Sequence, residues 1–298
     1  MLIILLPFGG TGQVGSSALT IGLKKHQEGN YIEAINAYNK GLKLSPTSAM
    51  LYDERGTSKL RIGDKAGALK DFQKAIRIDS TFSSPYFKRA KIRQSEKKYF
   101  KAIVDYNRAH RHAKGNAKVL FNRANCHYSL RNLSEAINDL NKAIQLDPRH
   151  IHAYKNRAKI HAKLENHLLA ISDYDMVIRY NPNDATAYFY RGHSKQMLGK
   201  FAAAIADYNT ALLIRRNYPA VNKKRAVCRY EIGFYKGAIA DCNAVLHTKP
   251  KNKMALYYRG ISKRGLGKIA GACMDLNKSA TLGLVMAVDA IKSNCGGN

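Results

Sequence analysis

Arginine and aspartate recur at matched positions, and they are the side chains whose spacing most directly suggests chemistry. Seven arginines each stand 16 residues before an aspartate. Charged groups that are partly buried are normally paired with an opposite charge. We therefore predict seven structural ion pairs rather than a reactive site. The predicted pairs are Arg55 with Asp71, Arg89 with Asp105, Arg123 with Asp139, Arg157 with Asp173, Arg191 with Asp207, Arg225 with Asp241, and Arg259 with Asp275.

A second basic position lies one helical turn after the position of each arginine. If the arginines occupy the aspartates, this second row has no obvious acidic partner, and we expect a positive stripe. The stripe would be either a solvated face with extended side chains or an electrostatic guide for an acidic ligand. The eight residues of this row are Lys25, Lys59, Arg93, His127, His161, Lys195, Arg229 and Lys263.

The chain shows no catalytic or metal-binding constellation. No nucleophile, base and orienting group stand at a defined spacing. The five cysteines form no C-x-x-C pair, and the ten histidines form no H-E-x-x-H motif. No apolar run is long enough to span a bilayer. We expect a protein without enzymatic activity, cofactor, metal or transmembrane segment.

The first 14 residues admit three interpretations. The glycines of Gly10-Thr-Gly-Gln-Val-Gly15, after the apolar stretch Leu2–Phe8, fit a dinucleotide-binding turn. That turn requires a βαβ unit, and helical repeats follow instead. The same stretch, followed by small residues, also suggests an export signal, although it lacks a positively charged beginning. The third interpretation is a terminal tail. We favour an exported protein over a cytoplasmic one.

A period of 34 residues organises the remaining chain. Such a period marks an array of stacked supersecondary units. Each unit contains two helical apolar patterns around a short turn; in the fourth unit they predict helices over Lys118–Leu130 and Leu133–Leu146. We predict eight repeats, at residues 15–48, 49–82, 83–116, 117–150, 151–184, 185–218, 219–252 and 253–286, followed by a capping helix and tail at 287–298. Alanine stands in register at positions 34, 68, 102, 136, 170, 204, 238 and 272.

The repeat resembles the tetratricopeptide repeat family. The resemblance rests on a small residue in the first helix, the recurring alanine, a large residue four positions later and a terminal proline. Tyrosine stands at four of the positions where the family has tryptophan: Tyr52, Tyr86, Tyr154 and Tyr188. The resemblance implies an all-α, right-handed superhelical solenoid of eight helix-turn-helix repeats plus a C-terminal capping helix. It also implies that first helices line a concave groove and second helices form the convex back.

The groove positions of the family, carried onto this chain, mix aromatic and basic side chains. Such a mixture suits an extended peptide with bulky apolar and acidic side chains, and it also suits the bases and phosphates of RNA. The net charge of +29 favours acidic partners in either case. We predict a non-catalytic scaffold for an acidic, partly apolar protein segment, with RNA or another polyanion as the alternative ligand. The candidate groove residues are Phe87, Lys91, Phe121, Asn125, Lys155, Lys159, Phe189, His193, Lys223 and Tyr257.

Four cysteines fall in columns that we assign to the core: Cys126, Cys228, Cys242 and Cys273. Buried thiols normally behave as small apolar groups. Residues Leu284–Cys295 read as a short amphipathic helix that covers the last repeat. From this helix Cys295 could reach Cys273, although connectivity does not follow from sequence. The end of the chain resembles terminal repeats of exported bacterial members of the family.

Overall fold

The computed structural model describes residues 11–295, with the backbone alone for residues 11–16 and 294. The stretch Leu2–Phe8 and the first glycine of the glycine-rich motif lie outside the described residues. The remaining motif residues belong to a helix that begins at Thr11. The described part of the motif is therefore helical and does not form a turn after a strand.

The residues that the structure describes form 17 α-helices and no β-strand. The architecture is all-helical, a solenoid of helix-pair repeats followed by a C-terminal helix, as predicted. The odd-numbered helices α1–α15 are the first helices of the repeats, and the even-numbered helices α2–α16 are the second. The helices are α1 Thr11–Gln27, α2 Tyr31–Leu44, α3 Ala49–Arg61, α4 Lys65–Ile78, α5 Ser83–Ser95, α6 Tyr99–His112, α7 Ala117–Ser129, α8 Leu133–Leu146, α9 Ile151–Lys163, α10 His167–Tyr180, α11 Ala185–Met197, α12 Phe201–Ile214, α13 Pro219–Glu231, α14 Tyr235–Thr248, α15 Lys253–Gly265, α16 Ile269–Thr281 and α17 Val285–Cys295.

Tertiary contacts divide the chain into two units, which meet in sequence between Pro148 and Arg149. The first unit contains α1–α8 and the second contains α9–α17. Within each unit, the two helices of a repeat pack together, and the second helix also packs against the first helix of the next repeat. Helix α17 packs against α16 and α15. Each helix therefore buries its apolar face against its sequence neighbours, as repeat proteins do.

Small residues in the first helices allow close packing against large residues in the second helices. Gly22 faces Tyr38 in this way, and a Cβ added at Gly22 would lie 2.2 Å from a ring carbon of Tyr38. The same relation joins Gly192 with Tyr208, at 2.9 Å. All eight large or apolar residues of the second-helix column are fully buried: Tyr38, Phe72, Tyr106, Leu140, Tyr174, Tyr208, Cys242 and Leu276.

The turn between the two helices of a repeat requires a left-handed residue. Glycine fills this position in the first repeat, where Gly29 has a φ of 83°. Three repeats place a residue with a side chain there instead, and Lys97, Arg131 and Glu165 adopt φ values of 59°, 65° and 60°. A left-handed conformation costs such residues roughly 1–2 kcal/mol. The tertiary packing of the helix pairs therefore overrides the local preference at these three turns.

Candidate functional site

The seven arginine–aspartate sets form bidentate ion pairs. In each pair the arginine Nε donates to one carboxylate oxygen at 2.7–3.0 Å and Nη2 donates to the other at 2.5–2.7 Å. The aspartates are 1–4% exposed. Paired, parallel hydrogen bonds of this kind are strong and fix the orientation of both groups. These charges join the first helix of a repeat to its second helix, so they are committed to the fold.

The remaining guanidinium nitrogen reaches back to the preceding repeat. Arg55 Nη1, for example, donates to the amide oxygen of Asn39 at 2.7 Å. Arg191 Nη1 reaches Asp175 instead, at 2.6 Å. Sequence reasoning missed these acceptors, although they share the 34-residue period and each stands 16 residues before its arginine. The acceptors seen in the structure are Asn39, Asn107, Asp175, Asn209 and Asn243.

Tyrosine packs beneath four of these arginines. The guanidinium carbon of Arg55 lies 5.2 Å from the ring centre of Tyr52, and Arg191 lies 5.3 Å from that of Tyr188. Arg89 and Arg157 stack in the same way on the tyrosines three residues before them. Such cation–π contacts add to the ion pairs. The tyrosines at the family's tryptophan position are therefore part of the same charged network.

The prediction of an unpaired positive stripe is wrong, because six of the eight residues have carboxylate partners. Lys59 binds the second oxygen of Asp71 at 2.8 Å, so this carboxylate accepts from two cations. Lys25 pairs instead with Glu33 at 2.8 Å. A carboxylate has enough lone pairs for a second base one turn beyond the arginine. The other paired members are Arg93, Lys195, Arg229 and Lys263.

The two histidines of the row behave differently from its other members. Burial lowers the pKa of His127 and of His161, and the neighbouring aspartates raise it by less. Each buried Nδ1 lacks a hydrogen-bond partner among the described residues. These side chains are therefore neutral at neutral pH, and they add no charge to a stripe.

In the second unit, three candidate groove residues are engaged within the protein. Lys155 Nζ donates to Asp184 at 2.6 Å and to the hydroxyl oxygen of Thr186 at 3.2 Å. Phe189 is 9% exposed and packs against three tyrosine rings. His193 accepts from Lys224 Nζ at 2.8 Å, since burial and this ammonium lower its pKa to about 4. Lys155 and His193 therefore connect neighbouring repeats, whereas Phe189 packs among aromatic rings of its own repeat.

In the second unit, two of the candidate lysines are exposed to solvent and one candidate tyrosine is half-buried. Lys159 in α9 and Lys223 in α13 are exposed and have no carboxylate partner among the described residues. Tyr257 in α15 is half-buried, and its ring meets that of Tyr258 edge-on at 5.2 Å. We call Lys159, Lys223 and Tyr257 the first-helix surface of the second unit.

In the first unit, the candidate residues lie on α5 and α7. Lys91 is exposed, and its Nζ lies 6.0 Å from the ring centre of Phe87. Phe121 and Asn125 are half-buried in α7. Sequence reasoning missed the buried Asp53, which accepts from Ser84 at 2.7 Å and from Lys88 at 2.9 Å. Burial raises the pKa of Asp53, and these two neighbours counteract the shift.

The cysteines separate into buried thiols and one disulfide. Cys126, Cys228 and Cys242 are buried, and burial raises the pKa of each thiol to about 12. Cys273 is bonded to Cys295, with 5.8 Å between their Cα atoms. The bond joins α16 to α17, so it fastens the C-terminal helix to the last repeat.

The described residues contain no group of three or more histidine, cysteine, aspartate or glutamate side chains that could hold a metal ion. Within the same part of the chain, every helix is too short or too polar to cross a bilayer.

The paired columns and stacked helix pairs define an all-helical repeat protein. Models of the tetratricopeptide repeat match residues 17–48, 117–150 and 155–222. The chain therefore carries tetratricopeptide repeats over these residues. A search of curated protein sequences gave no match.

Solved structures of family members share the fold at low sequence identity. A tetratricopeptide repeat protein from Parabacteroides merdae is 20% identical, with a TM-score of 0.56, over 83% of this chain and 99% of that one. The C-terminal part of a repeat-containing protein from Cytophaga hutchinsonii is 19% identical, with a TM-score of 0.65, over 80% and 98%. YrrB, described as a protein with an unusual peptide-binding site, is 18% identical, with a TM-score of 0.58, over 62% and 95%. The repeats and these structures support a protein–protein interaction scaffold.

Proposed function

We propose that the chain is a non-catalytic scaffold that binds an extended peptide segment along the first helices of its second unit. The observation that carries the proposal is the first-helix surface, where two exposed lysines without carboxylate partners accompany a half-buried tyrosine. An aromatic side chain can anchor a bulky apolar residue, while lysines attract acidic ones. The preferred segment therefore combines acidic and bulky apolar side chains.

The burial pattern restricts which candidate residues contact the ligand. Lys155 and His193 are engaged in contacts between repeats, and Phe189 is buried among tyrosine rings, so these side chains support the surface rather than reach out from it. The described peptide-binding site of YrrB is a property of that protein, and it adds support because the two chains share a fold. RNA binding through the groove is the weaker alternative, since most of the basic side chains in the predicted stripe are paired with aspartate.

A peptide selection tests this proposal. A random display library is selected against the full chain, and the enriched peptides are titrated against a variant that combines Lys159→Gln, Lys223→Gln and Tyr257→Ala. We expect enrichment of acidic and bulky apolar residues and at least about a tenfold loss of affinity in the variant, since each removed anchor contributes about 1 kcal/mol or more. A matched variant with Lys236→Gln and Lys278→Gln on second helices keeps full affinity. Failure to enrich any peptide, or equal losses in both variants, overturns the proposal.

A further inference from the structure

A large share of the unpaired positive charge of the first unit lies on its second helices. Seven exposed cations occupy the later turns of α2, α4, α6 and α8, and none has a carboxylate partner among the described residues. They form two rows at the repeat period. One row is Lys40, Lys74, Arg108 and Lys142, and the other is Lys43, Arg77 and Arg111. We call these residues the second-helix basic rows.

Members of the two rows are neighbours on each helix surface. Lys40 and Lys43 are three residues apart in α2, and residues at this spacing lie on the same helix face. The same spacing recurs in α4 and α6, so that each of these helices presents a pair of cations. Because every pair occupies the same position in its repeat, the pairs follow one another along the stacked helices of the unit.

The fold alone does not require these cations. A positive side chain near a helix C-terminus is favoured by the helix dipole, yet the corresponding helices of the second unit lack most of them. The first row continues there as Met176, Thr210, Ala244 and Lys278, with one cation among the four. The second row continues there as Arg179, Leu213, His247 and Thr281, and Leu213 is 80% exposed. Equivalent helices thus form with apolar and neutral residues at these positions.

No acidic side chain of these helices neutralises the rows. The second-helix aspartates of the first unit are buried and already bound to two cations or to arginine. Glu33 and Glu135 lie in the first turns of α2 and α8, at the opposite end from the rows. The acidic C-cap residues Asp79 and Asp147 lie at the same end as the rows, so the seven cations outnumber the acidic side chains at this end of the four helices.

We propose that the second-helix basic rows bind the phosphate backbone of a nucleic-acid duplex without sequence preference. A series of lysine and arginine side chains neutralises successive phosphates and releases counterions. Proteins that hold single strands add aromatic platforms for the bases, and the rows contain no aromatic residue. The exposed Phe100 lies in the first turn of α6, about 12 Å along the helix axis from Arg108. The rows therefore offer no platform for base stacking.

Salt dependence of duplex binding tests the proposal. A fluorescent 20-base-pair DNA duplex is titrated with the full chain between 50 and 200 mM salt. If all seven cations neutralise phosphates, the slope of log K against log salt is about −6, equivalent to roughly a 10³–10⁴-fold loss of affinity over this range. Changing Lys74, Arg108 and Lys142 to glutamine reduces the slope to about −4.

A control variant carries the same loss of charge on first helices, with Lys91, Lys159 and Lys223 changed to glutamine. It keeps the slope of the unmodified chain, although it weakens the peptide binding proposed above. Absence of duplex binding at 50 mM salt, or an equal reduction of slope in the control, overturns the inference. Equal affinity for the single strand also overturns it, as does binding to phosphatidylserine vesicles in place of the duplex.

Discussion

Changing Asp241 to asparagine tests how the shared carboxylates stabilise the repeats. Asp241 is 3% exposed and accepts from Arg225 at 2.9 and 2.6 Å and from Arg229 at 2.9 Å. The substitution preserves volume but leaves two guanidinium groups without their carboxylate. Removing one partner of a buried pair costs about 3–5 kcal/mol. Because the two arginine side chains are 15% and 16% exposed, water offsets part of the cost, and we expect a loss of about 2–4 kcal/mol.

Asp175→Asn is the matched control, because it makes the same chemical change at an exposed ion pair. The Asp175 side chain is 53% exposed and accepts from Arg191 at 2.6 Å. Exposed pairs contribute at most about 1 kcal/mol. Free energies of unfolding come from urea titrations followed by far-UV circular dichroism. Hydrogen exchange shows whether the loss is concentrated in α13 and α14.

Arg229→Gln in the Asp241→Asn background separates electrostatics from packing. Removing the second uncompensated cation should restore part of the lost stability, because one unpaired charge then remains instead of two. Equal losses for Asp241→Asn and Asp175→Asn would refute the reasoning. A further additive loss on introducing Arg229→Gln would also refute it.

Three further predictions concern packing, acid stability and the thiols. Gly22→Ala places a Cβ 2.2 Å from the buried ring of Tyr38. Overpacking costs about 1–3 kcal/mol, whereas the higher helix propensity of alanine contributes roughly 1 kcal/mol. Urea titration should therefore show a lower free energy of unfolding. Gly271→Ala, whose Cβ would meet only a flexible lysine at 3.5 Å, should be neutral or stabilising. Burial acts to raise the pKa of Asp275, but hydrogen bonds from Arg259 and Lys263 outweigh burial, and the pKa is lowered. The ionised carboxylate of Asp275 therefore adds to the free energy of unfolding above the unfolded-state pKa of about 3.9, and this stabilisation is lost as the pH falls through the folded-state pKa. Asp275→Asn should therefore flatten the loss of stability below about pH 4, and an unchanged profile would contradict this. Disulfide exchange with a thiol reagent should label no cysteine in the native chain, three in denaturant and five after reduction.

The fold was predictable because the 34-residue period repeats the same packing problem eight times. In the fourth repeat the predicted second helix, Leu133–Leu146, has the observed bounds, and the first differs by one residue at each end. The small residue at Gly22 and the large one at Tyr38 meet as their columns predict. Such features follow from helix geometry alone, so the residue pattern of one repeat predicts the packing of the others.

Charge partners were less predictable, because they depend on which side chains share one acceptor. Pairing Asp71 with Arg55 suggested that Lys59 was free, whereas the second carboxylate oxygen of Asp71 binds it. Lys155 likewise has a partner, Asp184, 29 residues away and outside its own column. The cations of the second-helix basic rows lie where the family resemblance directed no attention. Periodicity could have revealed them, since Lys40 has a basic equivalent in each of the first four repeats and, among the last four, only in the eighth.

A hydrogen-exchange footprint of a selected peptide tests the central claim most directly. The claim is that the first helices of the second unit bind a protein segment, while the second helices do not. We predict slower amide exchange in α9, α11, α13 and α15 when the peptide binds the full chain. Slower exchange confined to α10, α12, α14 and α16 would contradict the account.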